Sequence, residues 1–256
     1  MQMTMEDNGG RMKVLVTGGC GKIGAYFARK LGERYDLRLI DKTGWDAERY
    51  GPLRGESITG DLRDLETCRQ ACAGMDAVIH LAADPDPSAD FLDSLLDNNI
   101  RAAYHIFRAA KEAGCKRMIF ASSLHAMSAY PPGVQVRADM PVHPGNLYGV
   151  SKAFGEALAA HFAYNEDLPS IALRIGAFRL PEETRTPSPA ELDAYLNGDD
   201  FNHLLVQCLE TPGVRFLVAN AISDNRFKRA DLTETQEVLG YRPQADMFKQ
   251  LGWVKE

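Results

Sequence analysis

Three observations in the 256-residue sequence predict an α/β fold. From Met12 onward, short apolar runs rich in branched residues alternate with segments of helical periodicity, the pattern of strand–helix–strand units around a parallel sheet. A glycine-rich turn separates the first such run from the first helical segment. After Ile175 the alternation gives way to a proline-rich loop and further helices. Together these specify a Rossmann-type doubly wound parallel sheet with a small C-terminal helical and loop elaboration placed to cover an active site.

Taken in order, residues 12–17 (MKVLVT) form the first strand and 22–31 the first helix. Residues 37–40 form the second strand, 56–59 a weak third, 65–72 a helix and 77–81 the fourth strand. Leu92, Leu95, Leu96, Ile100, Ala103, Ile106 and Phe107 recur at helical spacing and predict a helix over 91–113 with these residues along one side. Gly114 closes it, being free of a Cβ penalty. Residues 117–121 make the fifth strand, 146–164 a long helix and 170–175 the sixth strand. Residues 181–189 carry three prolines and read as a loop or lid. Helices over 190–196 and 200–209, a strand at 214–218 and a last helix at 233–239 complete the chain.

Composition bounds the function. With 45% hydrophobic and 25% charged residues, the chain has ample material for a core and is not a disordered one. Its 29 basic and 35 acidic side chains leave a net charge of −6 with no dense basic tract, which argues against binding nucleic acid through its phosphates. No window approaches the roughly 18 consecutive apolar residues that a membrane-spanning helix needs. Residues 1–11 lack a cationic, apolar leader pattern and read as a short flexible extension to a single domain over 12–256. The five cysteines are scattered without paired metal spacing, so reduced thiols, no metal and a cytoplasmic location are expected.

The turn reads Thr17-Gly18-Gly19-Cys20-Gly21-Lys22-Ile23-Gly24. At a strand-to-helix junction, glycines at 18, 21 and 24 allow a tight turn and close backbone approach, and the helix N-terminus offers unpaired N–H groups to a pyrophosphate. Asp41 ends the second strand 23 positions after Gly18, near the offset of an acid that accepts hydrogen bonds from adenosine ribose hydroxyls. That acid repels a 2′-phosphate and favours NAD over NADP, although the neighbouring Lys42 partly offsets it. The bland alternative is a structural turn followed by a surface aspartate. Asp61, with Leu62, follows the third strand; it is read either as a turn or cap residue or, from its place in the series, as an adenine contact.

Tyr148 and Lys152 stand four apart and share one helix face. A phenol of pKa about 10 is a poor base at neutral pH, and a nearby ammonium favours its phenolate. Such a pair also arises by chance in many helices. The adjacent signal is Ser122-Ser123 at the end of the fifth strand, where ligands of open α/β sheets gather; a serine there can hold a substrate oxygen while Tyr148 moves a proton.

This set, with Gly60-Asp61-Leu62, His80-Leu81-Ala82-Ala83, Asn98-Asn99 and Tyr148-x-x-x-Lys152, resembles the extended short-chain dehydrogenase/reductase family from about Met12 to about Phe248. The resemblance implies that Tyr148 is the acid/base, Lys152 its pKa-lowering and ribose-binding partner, and Ser123 the catalytic serine. It implies that Leu81, Ala82 and Ala83 pack against the adenosine, that Asn99 is the helix asparagine near the active site, and that Ile175 lies near the nicotinamide of NAD. The short C-terminal region and the segments around Ser123, Tyr148 and Arg174 are similar to the uronate dehydrogenases and related NAD-dependent sugar dehydrogenases, which oxidise an anomeric carbon to a lactone. Residues 177–256 would then contribute the substrate pocket for a small sugar or sugar acid. Epimerase or dehydratase activity with transient use of NAD, and a non-catalytic NAD-binding role, are the alternatives.

Departures from the uronate dehydrogenase pattern fall at the substrate. Leu124 replaces an asparagine, Ala177 replaces a serine, and the loop after Ala83 (Asp84-Pro85-Asp86-Pro87-Ser88) is longer and more acidic, which disfavours an anionic substrate if those acids line the pocket. Each lost hydrogen-bonding group leaves a sugar hydroxyl unpaired at about 1–3 kcal/mol. His125 is read as a substrate donor or as a histidine satisfied by the backbone. Arg174, Arg179 and Arg185 are each read first as surface salt-pairing residues, with a carboxylate or phosphate clamp by one of them the alternative. By resemblance, the long helices over 91–113 and 146–164 imply a homodimer.

Overall fold

Branched residues at successive strand positions give each central strand two buried faces, and the fold is built on that alternation. The structure is a computed structural model that describes residues 10–183, 185 and 187–253. Strands β1 (Lys13–Thr17), β2 (Asp36–Asp41), β3 (Glu56–Thr59), β4 (Ala77–His80), β5 (Arg117–Ser123), β6 (Ser170–Ile175) and β9 (Phe216–Ala221) form one sheet in the order β3-β2-β1-β4-β5-β6-β9. Every pairing is parallel, with Val14 opposite both Leu37 and Ala77, Ile79 opposite Ile119, and Leu173 opposite Ala219.

In β1, Val14 and Val16 face one layer and Leu15 the other. The first layer contains α1 (Lys22–Leu31) and α7 (Gly198–Glu210), whose Phe27, Phe201, Leu204 and Leu205 meet Leu39, Ile79 and Ile171, and the short helix α2 (Ala47–Tyr50) follows β2. The second contains α3 (Leu65–Cys72), α4 (Ala102–Glu112) and α5 (Leu147–Asn165), whose Ala103, Ile106, Phe107 and Phe162 meet Ile40, Val78 and Phe120. Close approach of α5 to β5 needs a glycine: a Cβ on Gly155 would lie 2.0 Å from the Phe120 ring. Strand order reverses around β1, so a crevice opens at the carboxyl ends of β1 and β4, where such sheets bind ligands.

Three features differ from the sequence reading. The segment Phe91–Arg101 that precedes α4 is wound with wide turns, the Leu95 N–H bonding the Asp90 carbonyl five residues back. This changes the angular spacing, so Leu92 is 73% exposed while Leu95 and Asn99 are buried. The helix expected over 190–196 stops as α6 (Pro189–Leu192); Tyr195–Asn197 is strand β8, paired in parallel with β7 (Ala177–Arg179), Phe178 opposite Leu196. Three-residue strands carry too little periodicity to be read from sequence. The last sheet strand lies two residues later than expected, where Leu217, Ala219 and Ala221 bury against the core.

Of the expected N-terminal extension, residues 1–9 lie outside the described residues. Arg11 is tied to the Glu33 carbonyl at 3.1 Å and to Asp36 at 2.6 Å. All five cysteines are unpaired, four of them buried. Among the described residues, no helix is long and apolar enough to cross a membrane, and no cluster of His, Cys, Asp or Glu is placed to hold a metal ion.

Candidate active site

The carboxyl ends of the central strands wall a cavity of about 700 Å³. One end is the glycine turn. Gly18 adopts φ +65, and a Cβ there would meet the Ala82 nitrogen at 2.8 Å, so glycine lets the turn press against the loop after β4. That loop is held by Thr17, whose Oγ1 accepts the Ala82 N–H at 3.2 Å and pairs with His80 Nδ1 at 2.7 Å. Burial pushes the His80 imidazole down to about 3, so it stays neutral and tolerates the nearby Lys152.

Asp41 is aimed by its neighbours: Oδ2 accepts the Cys20 N–H at 3.0 Å and Oδ1 the Lys42 N–H at 2.7 Å. Asp61 accepts three bonds from Arg63, which hold its carboxyl below the usual range. Lys42 spans the crevice from β2 to the Asn98 side chain at 2.7 Å.

At the other end stand Ser123, Tyr148 and Lys152. Helix α5 begins at the Asn146 cap, whose Oδ1 accepts the Gly149 N–H at 2.7 Å, and carries Tyr148 and Lys152 on the face toward β5. The Lys152 ammonium donates to the Ala121 carbonyl at 2.8 Å, and burial pushes it down to about 8. The Tyr148 phenol is pushed up by burial; its hydrogen bond with Ser123 pulls the other way, and the Asp84 charge pushes it further up. The sequence reading has Lys152 lowering Tyr148, but in this geometry burial dominates, because the ammonium is drawn to Ala121 and lies 5.5 Å from the phenol ring centroid.

Behind this group is a buried network. Ser122 Oγ donates to Glu156 at 2.6 Å, and Arg174 grips both Glu156 oxygens at 2.9 and 2.8 Å. Arg174 and Arg179 are each 2% exposed, which corrects the reading of either as a surface pairing residue.

The structure brings Gly18, Gly21, Lys22, Ile23, Gly24, Asp41, Asp61, Leu62, Leu81, Ala82, Ala83, Ser123, Tyr148, Lys152 and Ile175 to the cavity wall. Four other expected site residues stand off it. Asn99 lies beneath the loop after β4, its amide bonded to both Asp84 backbone groups (2.8 and 3.1 Å) and to Ser151 Oγ at 3.0 Å. His125 packs edge-on to Tyr148 with centroids 5.4 Å apart, and its Nδ1 meets the Asn146 amide nitrogen at 3.0 Å. Since that amide nitrogen can only donate, His125 Nδ1 is the acceptor and Nε2 carries the proton. Ala177 faces away because Phe178, its neighbour in β7, faces the cavity. Arg185 is exposed and paired with Glu191.

A profile of the NAD dependent epimerase/dehydratase family matches residues 14–192, well over half the chain. The chain belongs to this family. Among individual relatives, it is 35% identical to the NAD-dependent glucose-6-phosphate dehydrogenase of Haloferax volcanii, over 90% of this chain and 92% of that one. It is 32% identical to the L-arabinose 1-dehydrogenase (NAD(P)(+)) of the same organism, over 90% and 96%. Among solved structures, a mutant uronate dehydrogenase from Agrobacterium tumefaciens complexed with NAD superposes with a TM-score of 0.84 at 27% identity, over 94% of this chain and 88% of that one. These family members act by name on a sugar phosphate, a neutral sugar and a sugar acid, so likeness alone leaves the charge of the substrate open.

Sequence reasoning missed Phe178, Gly176, Asn98, Pro85 and Ile40 as wall residues. Asn98 had a signal, being adjacent to Asn99, but only the wide-turn winding decides which of the two faces the crevice. Phe178 had none, since its strand is three residues long.

Proposed function

We propose that this protein is an NAD-dependent dehydrogenase that oxidises the anomeric carbon of a small sugar or sugar acid to a lactone. The observation that carries this reading is one continuous cavity lined at one end by the glycine turn and Asp41 and at the other by Ser123, Tyr148 and Lys152.

The residues fit a dinucleotide. Gly18, with no Cβ, lets the turn pack against the loop after β4 and itself lines the cavity. Gly21, Lys22, Ile23 and Gly24 surround the position for a pyrophosphate at the start of α1. Asp41, held by two backbone N–H groups, presents its remaining lone pairs to ribose hydroxyls and opposes a 2′-phosphate. Asp61 and Leu62 border the adenine, Leu81, Ala82 and Ala83 the adenosine, and Ile175 the nicotinamide. Asn99 acts by holding the loop after β4. Bound NAD would supply the hydride acceptor. Ser123 holds the substrate oxygen, Tyr148 takes the hydroxyl proton as its carbon is oxidised, and Lys152 holds the ribose and supplies positive charge behind the phenol. Phe178, from the 177–256 segment, closes the substrate side.

We further place the protein in the cytoplasm as a homodimer. Five unpaired cysteines suit a reducing compartment, which cell fractionation checks. The dimer reading is supported by an exposed apolar row on α5.

Turnover is read as growth of reduced-nicotinamide absorbance with a panel of aldoses and uronates. Wild type is expected to turn over at least one, and Tyr148→Phe to lose about 10²-fold or more in kcat. Absence of turnover across the panel contradicts the reading.

A further inference from the structure

Charge at the catalytic end of the cavity narrows the substrate. Asp84 lines the cavity and lies near enough to Tyr148 for its charge to bear on the phenol, whereas Asp86, the other acid of the loop, does not line it. Its position is fixed by a buried relay: Asn99 bonds both backbone groups of Asp84 and also Ser151 Oγ, and Ser151 Oγ donates to the Tyr148 carbonyl at 2.7 Å. The carboxylate itself accepts from the Asp86 N–H at 3.0 Å and from Ser94 Oγ. A carboxylate has about four acceptor sites, so two remain for a ligand.

Among the described residues, no arginine lines the cavity to clamp an incoming anion. Among the described residues, the cations lining the cavity are Lys22, Lys42 and Lys152. Lys22 is paired with Glu183 at 2.6 Å, Lys42 is bonded to Asn98, whose amide also bonds the Ser94 hydroxyl that donates to Asp84, and Lys152 donates to the Ala121 carbonyl. The wall contributed by the C-terminal segment is the apolar Phe178 beside Gly176, and Arg185 is directed to Glu191 on the surface.

Resting on the dehydrogenase reading, we propose that Asp84 selects an uncharged aldose: its carboxylate accepts a hydrogen bond from a substrate hydroxyl beside Tyr148 and repels a uronate carboxylate or a sugar phosphate.

The test uses the holoenzyme with NAD, comparing D-glucose, D-galactose and L-arabinose with D-glucuronate, D-galacturonate and D-glucose 6-phosphate. Wild type is expected to favour an aldose over its charged counterpart in kcat/KM by about tenfold or more. Asp84→Asn, of the same size and still able to accept from Asp86, reduces that preference about fivefold or more. It also moves the alkaline rise of the oxidation rate to lower pH. The groups facing the phenol are the Ser123 hydroxyl, the His125 ring, Lys152 and Asp84; of these only Asp84 changes, so a merely structural role leaves the profile in place. Should the variant fail to fold, the wild-type ratio decides alone. Turnover with equal or greater preference for the charged sugars, or a folded variant with unchanged preference and profile, overturns the role of Asp84 while the dehydrogenase reading stands. No turnover of any sugar removes both.

Discussion

Tyr148 sits in surroundings that oppose its ionisation. Burial and the Asp84 charge both hold the phenol protonated, and the Ser123 hydrogen bond offsets them only in part. In the proposed reaction the ionised phenol is the base, and a base whose pKa lies above the working pH gains ionised fraction as pH rises. The rate of sugar oxidation is therefore expected to climb from pH 7 into the alkaline range, up to about tenfold per pH unit until the phenol has titrated. Initial rates measured across that range check this; a flat or falling profile contradicts it. At this scale much of the cavity wall was legible in the sequence, because the glycines, Asp41 and Ser123 have a chemistry tied to the carboxyl ends of strands, and Tyr148 and Lys152 to one face of a helix. Buried partnerships were not legible. Nothing in the string marks Glu156 as the residue that meets both Ser122 and Arg174, since the three come from three different elements.

Among the elements, α5 does two jobs. Its inner face presses on β5 through Gly155 and positions Tyr148 and Lys152, while Leu147, Val150 and Phe154, spaced along one outer face, are 51%, 42% and 36% exposed. A row of this kind on a long helix suits burial against a second copy. Sedimentation at micromolar concentration is expected to give twice the 28.3 kDa chain mass, and Phe154→Glu to shift the protein to monomer. A wild-type monomer contradicts the dimer. The long α-helices and the branched strands were readable because their periodicity extends over many residues. The wide-turn segment Phe91–Arg101 and the β7–β8 pair were not: the first breaks the spacing that the reading assumes, and the second depends on pairing between segments that are each too short to carry a pattern.

For the molecule as a whole, the order of strands places the ligand crevice, and the sequence already implied it by putting the glycine turn after the first strand and Ser122-Ser123 after the fifth. What sequence left open was the far wall, where Phe178 faces the cavity and Arg179 and Ala177 do not, because that wall is made by the C-terminal segment folding back. In the proposed reaction the hydrogen on the anomeric carbon leaves the sugar for bound NAD. This transfer is tested most directly with an aldose deuterated at C1, following the label by mass spectrometry or NMR. One deuterium is expected in the reduced nicotinamide for each lactone formed, with a primary isotope effect wherever chemistry limits the rate. Deuterium retained in an epimerised sugar, with no net reduced cofactor, would contradict it.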